Sequence, residues 1–229
     1  MSIEAEIQTD NSVPDWYYIS SRPQMLTFVP STARRILDVG CAERRFGALL
    51  KERLGAEVWG IEYEPAAAIK ASERLDRVLI GDALALVQTL ESEKFDCITV
   101  LDVLEHLSDP FALLEGVKRV LTRDGCLVLS VPNVLYISNL YRMLVKKDWQ
   151  YTSHGILDRG HLRFFTRKSL IRTLNSHGYR IERFQGIAPV KGIRFPLFNL
   201  ITFGYFSDSR YLQFACVAKP ICAYSHMLT

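Results

Sequence analysis

Two carboxylates and a glycine define the chemistry this chain could carry out. The run Ile36-Leu-Asp-Val-Gly-Cys41 reads as a strand that ends in a tight turn, and Glu62 closes the next apolar run, 22 residues after Gly40. Gly40 lets the chain turn sharply between strand and helix. A carboxylate at the end of the neighbouring strand can accept hydrogen bonds from both ribose hydroxyls, which implies a nucleoside cofactor at the open end of a doubly wound sheet. Asp38 decides which cofactor. A dinucleotide needs glycines whose backbone N–H groups can approach a pyrophosphate at a helix N-terminus. Here the G-x-G-x-x-G spacing is absent and an acid sits beside the turn. Asp38 would repel phosphate and suit a cation, such as the amino and sulfonium groups of S-adenosylmethionine. A nicotinamide oxidoreductase is disfavoured on the same grounds. Gly40, Cys41 and Ala42 form the candidate cofactor turn. Gly81-Asp82-Ala83 ends a third strand, with Asp82 either against an adenine amino group or capping a helix. Asp102 ends a fourth strand, where open sheets of this kind bind ligands.

Histidines are the candidate bases. His106 lies in Asp102-Val-Leu-Glu-His106, just past the fourth strand. A phenol or alcohol acceptor needs a base, whereas a neutral amine can do without one; the alternative for His106 is plain packing on the sheet. A second polar cluster holds His154, Asp158, Arg159, His161 and Arg163. Asp158 and His161 are three apart, a workable spacing for a carboxylate that orients an imidazole, and Arg163 could hold an anionic acceptor. The competing reading is a network that braces a loop, because polar groups near a core must be satisfied. Asn133, His154 and Arg163 are the candidate acceptor contacts. Glu105 and His106 alone do not make a metal site, so no metal is claimed.

These residues need elements to position them. Arg35–Val39, Glu57–Glu62, Val78–Ile80, Phe95–Leu101 and Cys126–Val131 read as strands. Between them, Phe46–Leu54, Pro65 to about Leu75 and Ser108 to about Leu121 carry helical spacing. The alternation argues for a parallel α/β sheet with right-handed crossovers. Arg22–Val29 could be a short helix, and Tyr17, Tyr18 and Arg22 a cover over the cofactor. After Pro132-Asn133, Val134–Val145 is apolar at helical spacing and Lys146–His161 reads as an ordered loop or lid. Tyr136, Tyr141, Trp149 and Tyr151 there could line an aromatic pocket, although packing is the commoner role. Thr166 is the expected N-cap of a helix to His177, with Gly178 as its stop. Tyr179–Phe184 and Tyr211–Ala218 read as an edge pair of antiparallel strands joined irregularly. The apolar stretch Phe195–Phe206 between them is too short for a span and is broken by Pro196 and Gly204.

Hydrophobic residues make up 48% of the chain, enough for a sizeable core, and a net charge of +3 is too weak to argue for a nucleic-acid partner. The five cysteines are scattered with no C-x-x-C pair, so neither a zinc ribbon nor a disulfide framework is supported, which suits a reducing compartment. The polar, acidic start is no signal peptide. A cytoplasmic protein without a membrane span follows, with a homodimer as one open assembly.

Leu37-Asp-Val-Gly-Cys41, Gly60-Ile-Glu62, Gly81-Asp82, Phe95-Asp96 with Val103-Leu-Glu-His106, and Gly125 before Val131-Pro-Asn133 together resemble class I S-adenosylmethionine-dependent methyltransferases. Leu157-Asp-Arg-Gly-His-Leu-Arg-Phe-Phe-Thr166 resembles a bacterial subgroup named as ubiquinone- or methionine-biosynthesis-type methyltransferases. Glu105-His106 is similar to a pair proposed to bind metal in some ubiquinone-type enzymes. The resemblance implies a Rossmann-like seven-stranded sheet with an antiparallel last strand. It also implies S-adenosylmethionine as cofactor and methyl transfer to oxygen or nitrogen of a small-molecule acceptor. One departure stands out: Arg44 occupies a position where these enzymes usually carry glycine. It could pair with the cofactor's carboxylate or fill the pocket, and the second case would make the chain a non-catalytic regulatory partner. The expected organisation is an arm and cover over 1–30, a cofactor core over 31–133, an inserted helix and lid over 134–165, and a C-terminal helix with edge strands over 166–229.

Overall fold

The computed structural model describes residues 22–43, 45–192 and 194–221. Tyr17, Tyr18 and Arg44 lie outside them. Seven strands form one sheet: β1 Arg35–Val39, β2 Glu57–Glu62, β3 Arg77–Ile80, β4 Phe95–Leu101, β5 Leu121–Pro132, β6 Tyr179–Pro189 and β7 Tyr211–Pro220. Their order is β3-β2-β1-β4-β5-β7-β6. β1 to β5 pair in parallel, and β7 runs antiparallel between β5 and β6. The chain leaves β1 towards β2 and later returns to β4 on the other side. That reversal opens a crevice above the carboxyl ends of β1 and β4.

Helices cover both faces: α1 Pro23–Leu26, α2 Arg45–Leu54, α3 Pro65–Ser72, α4 Ala83–Thr89, α5 Pro110–Val120, α6 Ile137–Tyr141, α7 Arg167–Ser176 and α8 Arg194–Ile201. The central strands are buried on both sides, so successive residues feed opposite cores. Ile36, Val58, Cys97 and Val128 pack with Phe46 and Leu50 of α2 and Ala71 of α3. Leu37, Ile98, Val100, Leu127 and Leu129 pack with Leu113 and Val117 of α5 and with Leu170 and Leu174 of α7. Prolines open α3 and α5, where the missing N–H costs no hydrogen bond. Asp109 caps α5 through the amides of Phe111 and Ala112. Thr166 and Ser169 form a reciprocal capping box on α7.

Four elements depart from the sequence expectations, the first being β6, which runs past Phe184 to Pro189. β5 starts at Leu121, well before Cys126, because Leu121 pairs with Phe95 ahead of an irregularity in the ladder. The π-turn Arg142–Lys146 continues α6. The connection from β6 to β7 contains α8 and a 3₁₀ turn, Ser207–Arg210. Cys97, Cys126 and Cys216 are buried thiols outside any disulfide. Among the described residues, no helix is long and apolar enough to cross a membrane.

Candidate active site

The turn after β1 is built for close approach. Gly40 has φ +71°, and a Cβ there would lie 2.4 Å from a methyl carbon of Val103. Both Gly40 and Cys41 donate their amides to the Ile61 carbonyl, at 2.8 and 3.1 Å, so the turn is tied to the end of β2. Ala42 also takes a left-handed conformation, φ +47°, which an alanine tolerates at some cost. Cys41 turns its thiol inward, where the missing side chain of Gly60 makes room for it.

Glu62 locks this turn from the side. One carboxylate oxygen accepts the Ala42 amide at 2.6 Å and the other accepts the Glu64 amide at 2.9 Å. A carboxylate has lone pairs beyond these two, so it can also receive hydroxyl donors. Asp38 is buried beneath the turn and accepts the Thr99 hydroxyl at 2.6 Å. Its negative charge underlies the crevice rather than forming an exposed wall. Asp82 caps α4 by accepting the Ala85 amide at 2.9 Å, and Ala83 is the first residue of that helix. The N-cap alternative for Asp82 therefore holds.

Asp102 closes the crevice on the other side. It has φ +55° and is buried. Its carboxylate accepts from the guanidinium of Arg22, from Ser130 Oγ at 2.7 Å and from Gln213 Nε2 at 2.7 Å. Arg22 also donates to Ser130 Oγ at 3.2 Å. This knot ties the segment before α1 to β4, β5 and β7. Above it lies a cavity of about 230 Å³, lined by Arg22, Gln24, Asp102, Pro132, His154, Gly155, Ile156, Ala188, Leu212 and Gln213. Polar groups floor it and mainly apolar ones wall it, the usual arrangement of a small-molecule site. Sequence reasoning gave Arg22 a covering role and missed Gln213 altogether.

Several predicted site residues fall elsewhere. The Asn133 side chain is spent on backbone: it donates to the Asp208 and Tyr211 carbonyls and accepts from the Leu135 amide. It braces the β5 exit and has no donor left for an acceptor molecule. Arg163 is exposed and donates to the Ser108 carbonyl at 2.8 Å, outside the residues that line the cavity. Asp158 does not orient His161. Its carboxylate accepts the Gly160 amide at 2.6 Å, whereas His161 Nδ1 faces the Ile156 carbonyl at 2.9 Å. Only His154 of this cluster reaches the cavity wall, with Nδ1 3.1 Å from Ser153 Oγ.

His106 and His161 meet instead. Their rings are edge to face with centroids 4.6 Å apart, and His106 Nδ1 lies 3.1 Å from the Gly160 carbonyl. Packing against protein lowers the pKa of His106, and the adjacent His161 lowers it further. Glu105, His106 and His161 each offer a ligand atom within 4.8 Å of the others. Glu105 and His106 were legible as neighbours; His161 joins them only through the fold.

A model of the methyltransferase domain matches residues 15–183. The ubiquinone biosynthesis O-methyltransferase of Xanthomonas oryzae pv. oryzae is 35% identical over 127 residues, covering 51% of this chain and 48% of that one. The protein of the same name from Glaesserella parasuis is 31% identical over 112 residues, covering 44% and 46%. The chain thus spans about half the length of these curated relatives. Among solved structures, a SAM-dependent methyltransferase from Archaeoglobus fulgidus superposes with a TM-score of 0.62 at 20% identity, covering 86% of this chain and 90% of that one.

Proposed function

This chain belongs to the class I S-adenosylmethionine-dependent methyltransferases, and from that premise we propose that it methylates an oxygen of a small acceptor held in the cavity beside Asp102. The observation that carries this reading is the shared position of Asp102, which both directly follows β4 at the cofactor crevice and floors the 230 Å³ cavity. A cofactor over Gly40 and Glu62 and an acceptor in that cavity would be neighbours. The residues at the crevice fit the cofactor. Glu62 can receive ribose hydroxyls, and Asp38 places negative charge below a cation. The bound cofactor supplies an already activated methyl group.

The chain's own contribution is positioning, exclusion of water and custody of one proton. Pro132, Ile156, Ala188 and Leu212 would keep an aromatic ring dry, and the Arg22–Asp102–Gln213 floor would fix its hydroxyl edge. His154, with Nδ1 engaged by Ser153, is the base this geometry favours, in place of His106 or His161. With its Nδ1–H donated to Ser153 Oγ, its Nε2 would be free to take the proton of the acceptor hydroxyl. Two relatives bear the name O-methyltransferase, which supports oxygen over nitrogen. Buried thiols in Cys97, Cys126 and Cys216 suit a reducing cytoplasm.

Calorimetry with S-adenosylhomocysteine, followed by a labelled-methyl screen over phenols, catechols and amines, tests this. Parent protein should bind in the micromolar range and label a phenolic oxygen. Glu62→Ala should lose binding, whereas His154→Gln should keep binding and lose transfer. Absence of cofactor binding by the parent would overturn the enzyme reading, and labelling of amines alone would overturn the oxygen assignment.

A further inference from the structure

Helix α8 and the turn that ends it form an apolar face that the chain leaves open. From Phe195 to Phe206 no residue carries a charge. Among the described side chains of α8 only Phe195 is buried, and Leu197, Leu200 and Ile201 are 59–74% exposed. A helix that is apolar on every side is normally enclosed on every side.

The turn adds two aromatic rings. The Gly204 amide donates to the Asn199 carbonyl at 2.7 Å and the Phe203 amide to the Leu200 carbonyl at 3.1 Å, the paired bonds of a Schellman stop. Glycine usually holds the left-handed position of such a stop. Here it is Phe203, at φ +50° and 98% exposed. A bulky residue there strains the backbone, and the chain's own core gains nothing from it. Tyr205, 85% exposed, meets Phe206 edge to face with centroids 5.2 Å apart, and Phe206 packs on Phe198 at the same separation. Rings displayed on a fixed support lose little freedom when covered.

Area, shape and charge point to the occupant. Phe203 and Tyr205 offer about 300–400 Å², and the three aliphatic side chains about 150–250 Å² more. A standard interface takes about 800 Å² from each partner, roughly 65% of it apolar in homodimers, so this face supplies the apolar centre of one. Beside the exposed Phe203 lies a hollow of about 670 Å³ walled by Phe195, Leu200 and Tyr211. A knob and a hole on one surface suit a two-fold axis. Asp208 and Arg210 also line the hollow, and two opposite charges on one rim are complementary to a second copy of themselves. A bilayer selects a basic polar face instead. The free sheet edge, β6, exposes Arg180, Glu182 and Arg183, charges that oppose strand pairing.

We propose that α8 and its stop form a two-fold interface between two copies of this chain, the Phe203 ring of each entering the hollow of the other. The interface abuts the cavity beside Asp102: Tyr211 lines the hollow, and the next two residues of β7, Leu212 and Gln213, line the cavity. Pairing thus braces the strand that walls the cavity, whatever acceptor lies in it.

Analytical ultracentrifugation of the full chain across the micromolar range tests this. The parent should be a dimer with a micromolar or tighter dissociation constant. Phe203→Gly gives the stop its usual residue, so dilute protein should unfold in urea no earlier than the parent. Its dimer should nevertheless dissociate at least about tenfold more readily, because the loss counts twice across a two-fold axis. Leu200→Glu should be monomeric over the same range, with far-ultraviolet circular dichroism reporting that it folds. Leu144→Glu, at an exposed apolar position outside the face, should dimerise as the parent does. A parent that stays monomeric, with or without binding to phosphatidylglycerol vesicles, would overturn the proposal. So would dimers that persist unweakened in both Phe203→Gly and Leu200→Glu, since the copies would then meet elsewhere.

Discussion

Replacing Gly40 by alanine attacks the cofactor turn in two separable ways. The residue has φ +71°, where a side chain costs about 1–2 kcal/mol. The new Cβ would also lie 2.4 Å from Val103 Cγ2, and forcing an extra carbon into a packed site costs about 1–3 kcal/mol. Together these remove about 2–5 kcal/mol, a large share of a typical domain's stability. Val103→Ala separates the terms. On its own it trims two methyl groups at a half-buried position, a loss of about 1 kcal/mol. In the double variant the collision is gone and only the backbone strain remains. Its total cost should be about 2–3 kcal/mol, against about 3–6 for simple addition. Urea unfolding of all four proteins measures the cycle, and calorimetry with S-adenosylhomocysteine reads the turn directly. Gly40→Ala should weaken the cofactor at least tenfold, about 1.4 kcal/mol, with partial recovery in the double variant. Additivity within about 0.5 kcal/mol would refute the argument that Val103 is what the glycine makes room for.

Other consequences follow from the same geometry. Ala42 sits at φ +47° while its amide serves Glu62; Ala42→Gly should relieve strain and raise stability by about 0.5–1 kcal/mol, read by urea melts, after the added chain entropy of glycine is counted. Arg22 and Asp102 form an ion pair with side chains only 8% and 2% exposed; Arg22→Met should cost about 3 kcal/mol, and Arg22→Met with Asp102→Asn should recover at least about 1 kcal/mol, because the buried charge is then removed from both sides.

The cofactor half of this protein was legible because its residues are local in sequence. β1, β2 and β4 begin and end where their apolar runs do, and Gly40, Glu62 and Asp102 are read off the turns that close them. A turn residue's role is set within a few positions, so one strand and its exit suffice. The start of β5 was hidden because Thr122-Arg-Asp-Gly125 is polar, and only its pairing partner Phe95 makes it strand. α8 was hidden because Phe195-Pro-Leu-Phe-Asn-Leu-Ile201 is apolar without a helical period.

The proposed acceptor half was illegible for a different reason. Its groups are gathered by topology: Arg22 lies 80 residues before Asp102 and Gln213 lies 111 after it, yet both bond its carboxylate. Insertion of antiparallel β7 between β5 and β6 brings Gln213 there, and no local pattern announces that strand's neighbours. Polarity alone then misleads. Asn133 and Asp158 looked like site residues and instead satisfy backbone groups, while His161 left its sequence neighbour for His106. A polar side chain in a loop has two employers, the backbone around it and a ligand, and in a compact fold the backbone is always present. The residues to trust as ligand contacts are those whose donors or acceptors outnumber their backbone partners. By that count Glu62 and His154 keep capacity for a bound molecule and Asn133 keeps little.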